Sequence, residues 1–423
     1  MKKLIKFLKI GLFLLHFFIL GCNYSPNQYV NQMSNQKKEF KTGYYGFDVE
    51  FFRDQKITTV ELRDSNSNAC VLIVPGYQGR VMTSSANGNE DISFGWINYD
   101  YIKSGKKSTQ FNPYGGEERL WIGPEGGPFS IYFEKGKEQT MSNWFVPKEI
   151  DTEPFDIIKH ESQSVTFHKK ISFTNYIGNT LKIDIERKIK LLSHTEVDDI
   201  FGLFVDSSLR YVAFETENTL VNDGDKEWNK QTGMLSLWIL CMINASADKL
   251  VFIPFKKGSE KDLGIIVSDE YFGKVPSERL RVKDGVMFFK TDGKFRSKIG
   301  ISHHRALPYL GSYDIENHVL SIVWFSLPEK PLEYLNSQWG KQDNPLKGDV
   351  INAYNDGPNE LGNSLGSFYE MESSSPAAKL KPGDKITHTQ RMFHIVGPED
   401  KLSQITEKLF NLPLSEIKNV FEK

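Results

Sequence analysis

The 423-residue sequence predicts an all-β protein, a large antiparallel sandwich. Runs rich in Val, Ile, Phe, Tyr and Thr recur at short intervals, and Gly, Asn and Asp bound them, which is typical of short strands joined by turns. Helical patterns are limited to residues 331–338 and to residues 401–410, and the second of these follows Gly397 and Pro398. No internal repeat is visible, which disfavours a propeller or a solenoid.

The predicted strands share β-branched or aromatic composition and turn residues at their ends. In chain order they cover residues 58–62, 129–133, 157–173, 181–192, 211–220, 233–243, 250–255, 286–290, 298–302, 318–325, 367–372 and 385–395. Cys70 and Cys241 each lie inside an apolar, strand-like run, so we expect both to pack as small hydrophobic residues. A disulfide between them is the alternative that the sequence leaves open.

The N-terminus has the pattern of a lipoprotein signal. Four lysines precede Ile10, and an apolar run ends at Leu20 with Gly21 before Cys22. This run is shorter than the roughly 20 residues that cross a bilayer. We therefore expect residues 1–21 to be a signal peptide, Cys22 to carry lipid, and residues 22–38, rich in Asn, Gln and Ser, to form a flexible tether. This predicts a protein anchored in the cell envelope, at the outer membrane or facing the periplasm.

Residues 39–423 have a globular composition and are interpreted as a single domain, because no linker-like or charge-rich stretch divides them. The formal net charge is -2, and no basic stripe with interleaved aromatic residues appears, so nucleic acid is an unexpected partner. No dinucleotide-binding or phosphate-binding motif and no metal-ligand spacing is present, so the sequence implies no cofactor and no metal. The oligomeric state is left open.

One glycine-rich segment concentrates charge, GGEERLWIGPEGG over residues 115–127. Glycine can adopt backbone conformations that other residues resist, so the chain turns sharply around these side chains. The segment indicates either a ligand site or a salt-bridged turn that joins two strands. Its candidate functional residues are Glu118, Arg119, Trp121 and Glu125.

Several short sequence segments resemble those of a known superfamily. They are Gly79-Arg80-Val81, SFGWINY with Asn98, LWIGPEGG, GSYD, and the late stretch YEMESSSPAAKLKPGDKITHTQRMFHI. Together they resemble the galactose mutarotase-like superfamily, and within it a group of envelope lipoproteins. The resemblance implies a twisted supersandwich with a concave face that binds carbohydrate. For true aldose 1-epimerases it also implies a histidine acid and a glutamate base on that face.

Ring opening of a sugar needs one group that delivers a proton to the ring oxygen and another that removes the proton of the anomeric hydroxyl. Alternation in residues 368–372 places Glu370 and Glu372 on one face of a strand, and either could be the base. The stretch ETENTLVN over residues 215–222 lacks the histidine of the enzymes, so His303 or His304, in a predicted loop, would have to replace it.

Three functions remain open from the sequence. The first is an isomerase of the mutarotase type, and the second is a noncatalytic glycan-binding lipoprotein that uses the same face. The third, a glycoside hydrolase, is disfavoured because two carboxyls side by side on one strand do not flank a bond. We expect Arg119, one of Glu118 or Glu125, and one of Glu370 or Glu372 to converge, with His303 or His304 at the rim. Catalytic residues would come from Glu370, Glu372, His303, His304 and Glu118, and binding residues from Arg80, Asn98, Arg119, Trp121 and Glu125.

Overall fold

The computed structural model describes residues 39–202, 206–330, 332–359 and 361–422. Residues Phe40–Lys423 cluster as one compact unit. The predicted signal peptide, Cys22 and the tether lie outside the described residues. In the described part of the chain, the helices are all too short or too polar to cross a membrane.

Strands dominate the described chain, and they are numbered here in chain order. They are β1 (Val60–Arg63), β2 (Cys70–Val74), β3 (Arg80–Ser85), β4 (Arg119–Gly123), β5 (Asp156–Glu161), β6 (Ser164–Thr174), β7 (Thr180–Leu191), β8 (Arg210–Asn222), β9 (Ser236–Asn244), β10 (Lys249–Pro254), β11 (Leu280–Lys283), β12 (Val286–Lys290), β13 (Ser297–Ser302), β14 (Tyr309–Asp314), β15 (Val319–Phe325), β16 (Asp349–Asn355), β17 (Phe368–Ser374) and β18 (Lys385–Val396). The helices are α1 (Tyr45–Asp54), α2 (Tyr99–Lys103), α3 (His194–Phe201), α4 (Glu260–Leu263), α5 (Glu399–Phe410) and α6 (Leu414–Asn419).

The strands form three antiparallel sheets. A ten-stranded sheet has the order β11-β12-β10-β14-β15-β18-β8-β7-β6-β5, a five-stranded sheet has the order β13-β16-β17-β9-β4, and β1, β2 and β3 form a small third sheet. The predicted fold class, an all-β antiparallel sandwich, is confirmed.

The main core contains the inward faces of the two larger sheets. Alternation along β7 turns Ile183, Ile185 and Ile189 into this core, while Glu186 and Lys188 are exposed. From the five-stranded sheet, Cys241 of β9 and Met371 of β17 are buried in the same core. The opposite face of the five-stranded sheet points away from the ten-stranded sheet, and we call it the cleft face.

Helices α5 and α6 pack on the other side of the ten-stranded sheet. Leu402, Ile405 and Phe410 of α5 are buried with Phe393 of β18 and with Phe252 of β10. The predicted helix over residues 401–410 is confirmed, and it begins two residues earlier, at Glu399. This helical layer covers apolar side chains of the sheet that would otherwise meet water.

Several predicted elements differ in the structure. Residues 129–133 are turns rather than a strand, and residues 157–173 form two strands, β5 and β6, because the chain reverses at residues 162–163, where no glycine marks the turn. The predicted helix over residues 331–338 is wrong in the part that is described, since Tyr334 pairs with Lys347 and the chain there is irregular. Cys70 and Cys241 are free and buried, as expected for small hydrophobic residues.

Asp48, on α1, has a buried carboxyl group that predicts a pH-dependent stability. It accepts a hydrogen bond from the Tyr99 hydroxyl on one oxygen, and its other oxygen has no partner. Burial raises the pKa of Asp48 to about 7, although the hydrogen bond from Tyr99 opposes this shift. The folded protein therefore holds a proton that the unfolded chain loses above pH ~4, so stability from this group falls as the pH rises to about 7.

We expect Asp48→Asn to remove this dependence, because the amide keeps the hydrogen-bond acceptor and cannot ionise. The unfolding free energy of the variant minus that of the wild type should be larger at pH 8 than at pH 4. The expected change in this difference is on the order of 3 kcal/mol. Urea unfolding of residues 39–423 at both pH values measures it. Parallel stability profiles of variant and wild type would show that Asp48 does not titrate in this way.

Candidate functional site

The strand register aligns polar side chains in two rows across the cleft face. Arg119, Leu240, Glu372 and Asn352 lie opposite one another along the first row, on β4, β9, β17 and β16. The neighbouring row places Glu370 opposite Met242 on one side and Tyr354 on the other, and Tyr354 lies opposite Lys298 of β13. Because every second residue of a strand points to the same face, Glu370 and Glu372 both belong to the cleft face.

Glu372 is a fully buried carboxylate that the structure holds in place. The Lys298 Nζ donates to both of its oxygens, at 3.0 and 2.9 Å, and the Trp238 indole Nε1 donates to one of them at 2.9 Å. Lys298 also lies over the Trp238 ring, 4.7 Å from its centroid. A buried carboxyl group needs such partners, and a cation and an N–H group hold Glu372 in place.

Glu370, one step along the same strand, is half-buried and close to this fixed charge. Its pKa is raised well above the usual range for glutamate, first by burial, then by the negative charge of Glu372 and by the hydrogen bond between the two carboxyls, although Lys298 and Arg119 oppose this. Two adjacent carboxyls that cannot both ionise share a proton. Glu370 is thus a carboxylic acid beside a carboxylate, partly open to the cleft.

Arg119 brings a guanidinium to the same face. The group is stacked on the Trp121 ring at 4.1 Å and lies 5.7 Å from the Phe111 ring. Its Nε and Nη2 atoms are buried and have no hydrogen-bond partner. Burial lowers the pKa of Arg119, against the attraction of Asp151 and of Glu370. An arginine with unused donors beside a free acid is able to hold an oxygen-rich ligand.

Glu125 lies at the end of β4 on a glycine turn. It accepts a hydrogen bond from the Trp121 Nε1 at 3.2 Å, and burial raises its pKa, while Lys298 and the indoles of Trp121 and Trp339 oppose the shift. The turn needs glycine, because a Cβ on Gly126 would lie 2.1 Å from the Gln338 carbonyl oxygen. The glycines of this segment therefore allow residues 336–342 to pack directly against the turn that carries Glu125.

A cavity of about 420 Å³ opens beside the two rows. Trp238 and Lys298, which hold Glu372, form part of its wall, and residues 335–349 form the opposite part. Pockets of ~300–1,000 Å³ are typical of small-molecule sites. The cleft face therefore combines a carboxyl pair, an arginine and an adjoining cavity.

Five of the predicted site residues come together on or beside the cleft face, and five do not. Arg119, Trp121, Glu125, Glu370 and Glu372 form the first group. The second consists of Glu118, Arg80, Asn98, His303 and His304.

Glu118 immediately precedes β4 and points into the core between the sheets, because successive residues of an extended chain alternate in direction and Arg119 points to the cleft face. It pairs with Arg187 at 2.7 Å and accepts from Thr216 at 2.9 Å and from Gln390 at 3.3 Å. The side chains of both Glu118 and Arg187 are completely inaccessible to solvent. No ligand on the surface reaches Glu118, so its expected catalytic role is replaced by a structural one.

The two histidines are not placed as a proton donor at the carboxyl pair. The His303 ring is buried, contacts the Pro328 carbonyl oxygen at 3.0 Å and stacks on Tyr334, while His304 is exposed. Burial lowers the pKa of His303. The contacts of these histidines therefore do not support the expectation that one of them supplies the acid, and Glu370 is the carboxyl with a raised pKa on the cleft face.

Arg80 and Asn98 have structural contacts. Arg80 is buried and donates to the Gly115 carbonyl and to Gln78, and the Asn98 side chain caps α2 by accepting from Tyr101 N. Neither contact is to a group on the cleft face.

Sequence reasoning missed Lys298 and Trp238. Lys298 is the first residue of a predicted strand. Lysine is rarely buried without a partner, so a lysine on the face of a strand that packs against protein indicates a buried acidic group nearby. Its partner Glu372 is 74 residues away along the chain, so only the fold reveals the pair. Among the described residues, no cluster of three or more His, Cys, Asp or Glu side chains could hold a metal ion.

Comparisons with known proteins give a family and similar folds. A model of a family of unknown function matches residues 43–421. No curated protein matches the chain significantly. Similar solved structures include the Slr1438 protein from Synechocystis sp. PCC 6803, with 12% identity, 81% of this chain and 96% of that chain covered, and a TM-score of 0.49.

Two further structures are also similar. The galactose mutarotase related enzyme from Lactobacillus acidophilus has 11% identity, with 80% of this chain and 97% of that chain covered and a TM-score of 0.45. A galactose mutarotase-like protein from Lactobacillus casei ATCC 334 has 9% identity, with 80% and 100% covered and a TM-score of 0.45. These proteins are of the kind that the sequence resembles. At such low identity, what the cleft does has to be inferred from its own residues.

Proposed function

The chain belongs to the DUF6786 family of unknown function, and we propose that its cleft face binds a carbohydrate and transfers protons at the sugar ring. The observation that carries this proposal is Glu370, a largely buried carboxyl on the cleft face whose pKa is raised well above its usual range, first by burial and then by the adjacent Glu372. A general acid at neutral pH needs such an elevated pKa.

The groups on the cleft face suit a ligand rich in hydroxyls. Carboxyl oxygens accept hydrogen bonds, and the unpaired N–H groups of Arg119 donate them. The fixed charges of Lys298 and Glu372 neutralise each other. This combination favours a polar and largely neutral ligand over a strongly charged one.

Proton transfer at an aldose follows from the same groups. Glu370 gives its proton to the ring oxygen, while Glu125 takes the proton of the anomeric hydroxyl, so that the bond between the anomeric carbon and the ring oxygen breaks and an aldehyde forms. Arg119 holds a hydroxyl during this step. After rotation of the aldehyde both transfers reverse, the ring closes on the other face, and both carboxyl groups return to their starting states.

A second function, noncatalytic glycan binding, is favoured by one observation. Glu125 accepts from the Trp121 indole, and burial raises its pKa, so the base that ring opening requires is partly occupied and holds its proton more strongly than an ordinary glutamate. The same cleft would then bind a sugar without opening it. With lipid on Cys22, the protein would act at the cell envelope under either function.

Binding is tested with Arg119→Met in residues 39–423. We expect the variant to lose affinity for its sugar by about 10- to 100-fold, because hydrogen bonds from a charged donor contribute ~1.5–3 kcal/mol. Calorimetry with a panel of aldohexoses and their N-acetylated forms measures affinity, and NMR exchange spectroscopy on the same samples measures interconversion of the anomers.

Arg210→Met is the matched control, since Arg210 is a half-exposed arginine at the start of β8. It should bind as the wild type does. Absence of binding across the panel, or equal losses in the two variants, would contradict the proposal. Binding by the wild type with no acceleration of anomer exchange would favour the noncatalytic function.

A further inference from the structure

The cavity beside the carboxyl pair continues the cleft face along the direction of its strands. On β17, Ser374 lies two residues beyond Glu372, and it is paired with Trp238 of β9. Ser236 of β9 lies one further step along, and all three side chains line the cavity. Each step of two residues covers ~6.6–6.8 Å, so Ser374 lies about one pyranose unit along the strand from Glu372.

The charges at the base of this cavity already have partners within the protein. Lys298 is paired with Glu372, and Asp349 accepts from the Tyr271 hydroxyl and, at 3.5 Å, from Ser268. Lys341, Asp343 and Lys347 are exposed at the outer part. The remaining groups are neutral hydroxyls, amides and one indole, and they include Ser236, Ser374, Asn336, Asn344, Asn352 and Trp238.

The opposite wall of the cavity is tied to the proposed active site. The Ser337 hydroxyl accepts from the backbone N–H of Glu125 at 3.4 Å, and Gly348 approaches Leu335 so closely that a Cβ there would lie 2.0 Å from the Leu335 carbonyl oxygen. Residues 335–348 thus form a folded wall whose start is in contact with the turn of Glu125. The cavity therefore adjoins the carboxyl pair through Trp238 and Lys298, which both contact Glu372, and it adjoins Glu125 through Ser337.

We propose that this cavity is a binding subsite for a second, neutral sugar unit, so that the ligand of the protein is an oligosaccharide of at least two units. This inference depends on the proposed function, since it places one sugar at Glu370 and the next in the cavity. A volume of about 420 Å³ lies within the ~300–1,000 Å³ range of small-molecule sites. Neutral hydroxyl and amide groups recognise sugar hydroxyls without selecting a charge.

The test compares the affinities of monosaccharides with those of their oligomers. Calorimetry on residues 39–423 would use three series: glucose, maltose and maltotriose; glucose, cellobiose and cellotriose; and galactose with its β-1,4-linked dimer and trimer. In one series we expect the dimer to bind at least ~10-fold more tightly than the monomer, a gain of ~1.4 kcal/mol, with little further gain for the trimer.

Ser374→Trp should remove this gain by filling the cavity, while the monomer still binds within about twofold of the wild type. Ser207→Trp, in the exposed turn before β8, adds the same side chain outside the cavity and should keep the gain. Asn344→Ala, on an exposed part of the wall, removes one amide without adding volume and should reduce the gain several-fold, even if Ser374→Trp fails to fold.

Monomers that bind as tightly as their dimers in all three series would overturn the second subsite and leave the proposed function intact. A dimer preference that survives in both Ser374→Trp and Asn344→Ala would also overturn it. No binding of any of these sugars, monomers included, would refute the proposed function and the subsite together.

Discussion

Glu118→Ala is expected to lower the free energy of unfolding by about 3–5 kcal/mol, because it leaves the guanidinium of Arg187 buried without its counter-charge. Arg187 donates to Glu118 at 2.7 Å, to Asn218 at 2.7 Å and to the Gly79 carbonyl at 3.0 Å, in the core between the two large sheets. Removal of one partner of such a pair costs more than replacement of both. The double variant Glu118→Leu with Arg187→Met should therefore be less destabilised than Glu118→Ala alone.

The ten-stranded sheet, which carries Arg187 on β7, has a matched control on its other face, on the neighbouring strands β8 and β18. Arg391 of β18 pairs with Glu215 of β8 at 2.7 Å, and both side chains are about one quarter exposed. Glu215→Ala should cost at most ~1 kcal/mol, since solvent screens such pairs. Urea unfolding of the three variants and the wild type measures these differences. If Glu118→Ala unfolds like Glu215→Ala, the buried pair does not hold the sheets together as described.

Glu370→Gln is expected to reduce anomer interconversion by about 10²- to 10⁴-fold, the usual contribution of a general acid. The amide keeps the size of the side chain but has no acidic proton to give. Sugar affinity should stay within several-fold of the wild type, because the amide still forms hydrogen bonds. Glu186→Gln, an exposed glutamate on β7, is the control and should change neither quantity.

A pH profile separates an acid from a merely structural carboxyl. Activity should fall at alkaline pH as Glu370 loses its proton, since its pKa is raised well above the usual value. Glu372→Gln removes the adjacent negative charge and leaves Lys298 unpaired, and both effects lower the pKa of Glu370. The alkaline limb should therefore move to lower pH in Glu372→Gln. An unshifted limb, or full activity in Glu370→Gln, would show that Glu370 is not the acid.

The fold class and the placement of Glu370 and Glu372 could be predicted from the sequence for a physical reason. Strand alternation is a local property, so Glu370 and Glu372 could be placed on one face from residues 368–372 alone. The same rule would have separated Glu118 from Arg119, but β4 lies within a glycine-rich segment that carries four charged residues and does not look like a strand. Both residues were therefore expected at the ligand, and the structure turns Glu118 inward.

The rest of the site depends on contacts between distant parts of the chain. Trp238 and Glu372 are 134 residues apart, and the Ser337 hydroxyl meets Glu125 across 212 residues. Composition gives no information on such pairings. His303 illustrates the converse, because a histidine in an irregular loop has the pattern of a functional residue, while its stacking on Tyr334 becomes visible only in the fold.

The most direct measurement is a crystal structure of residues 39–423 with the sugar that binds most tightly. We expect the ring oxygen of one sugar unit to lie within about 3.2 Å of the Glu370 carboxyl, with a hydroxyl of the same unit bonded to Arg119. A sugar bound elsewhere, with Glu370 and Arg119 in contact only with water, would contradict the assignment of the cleft face as the active site.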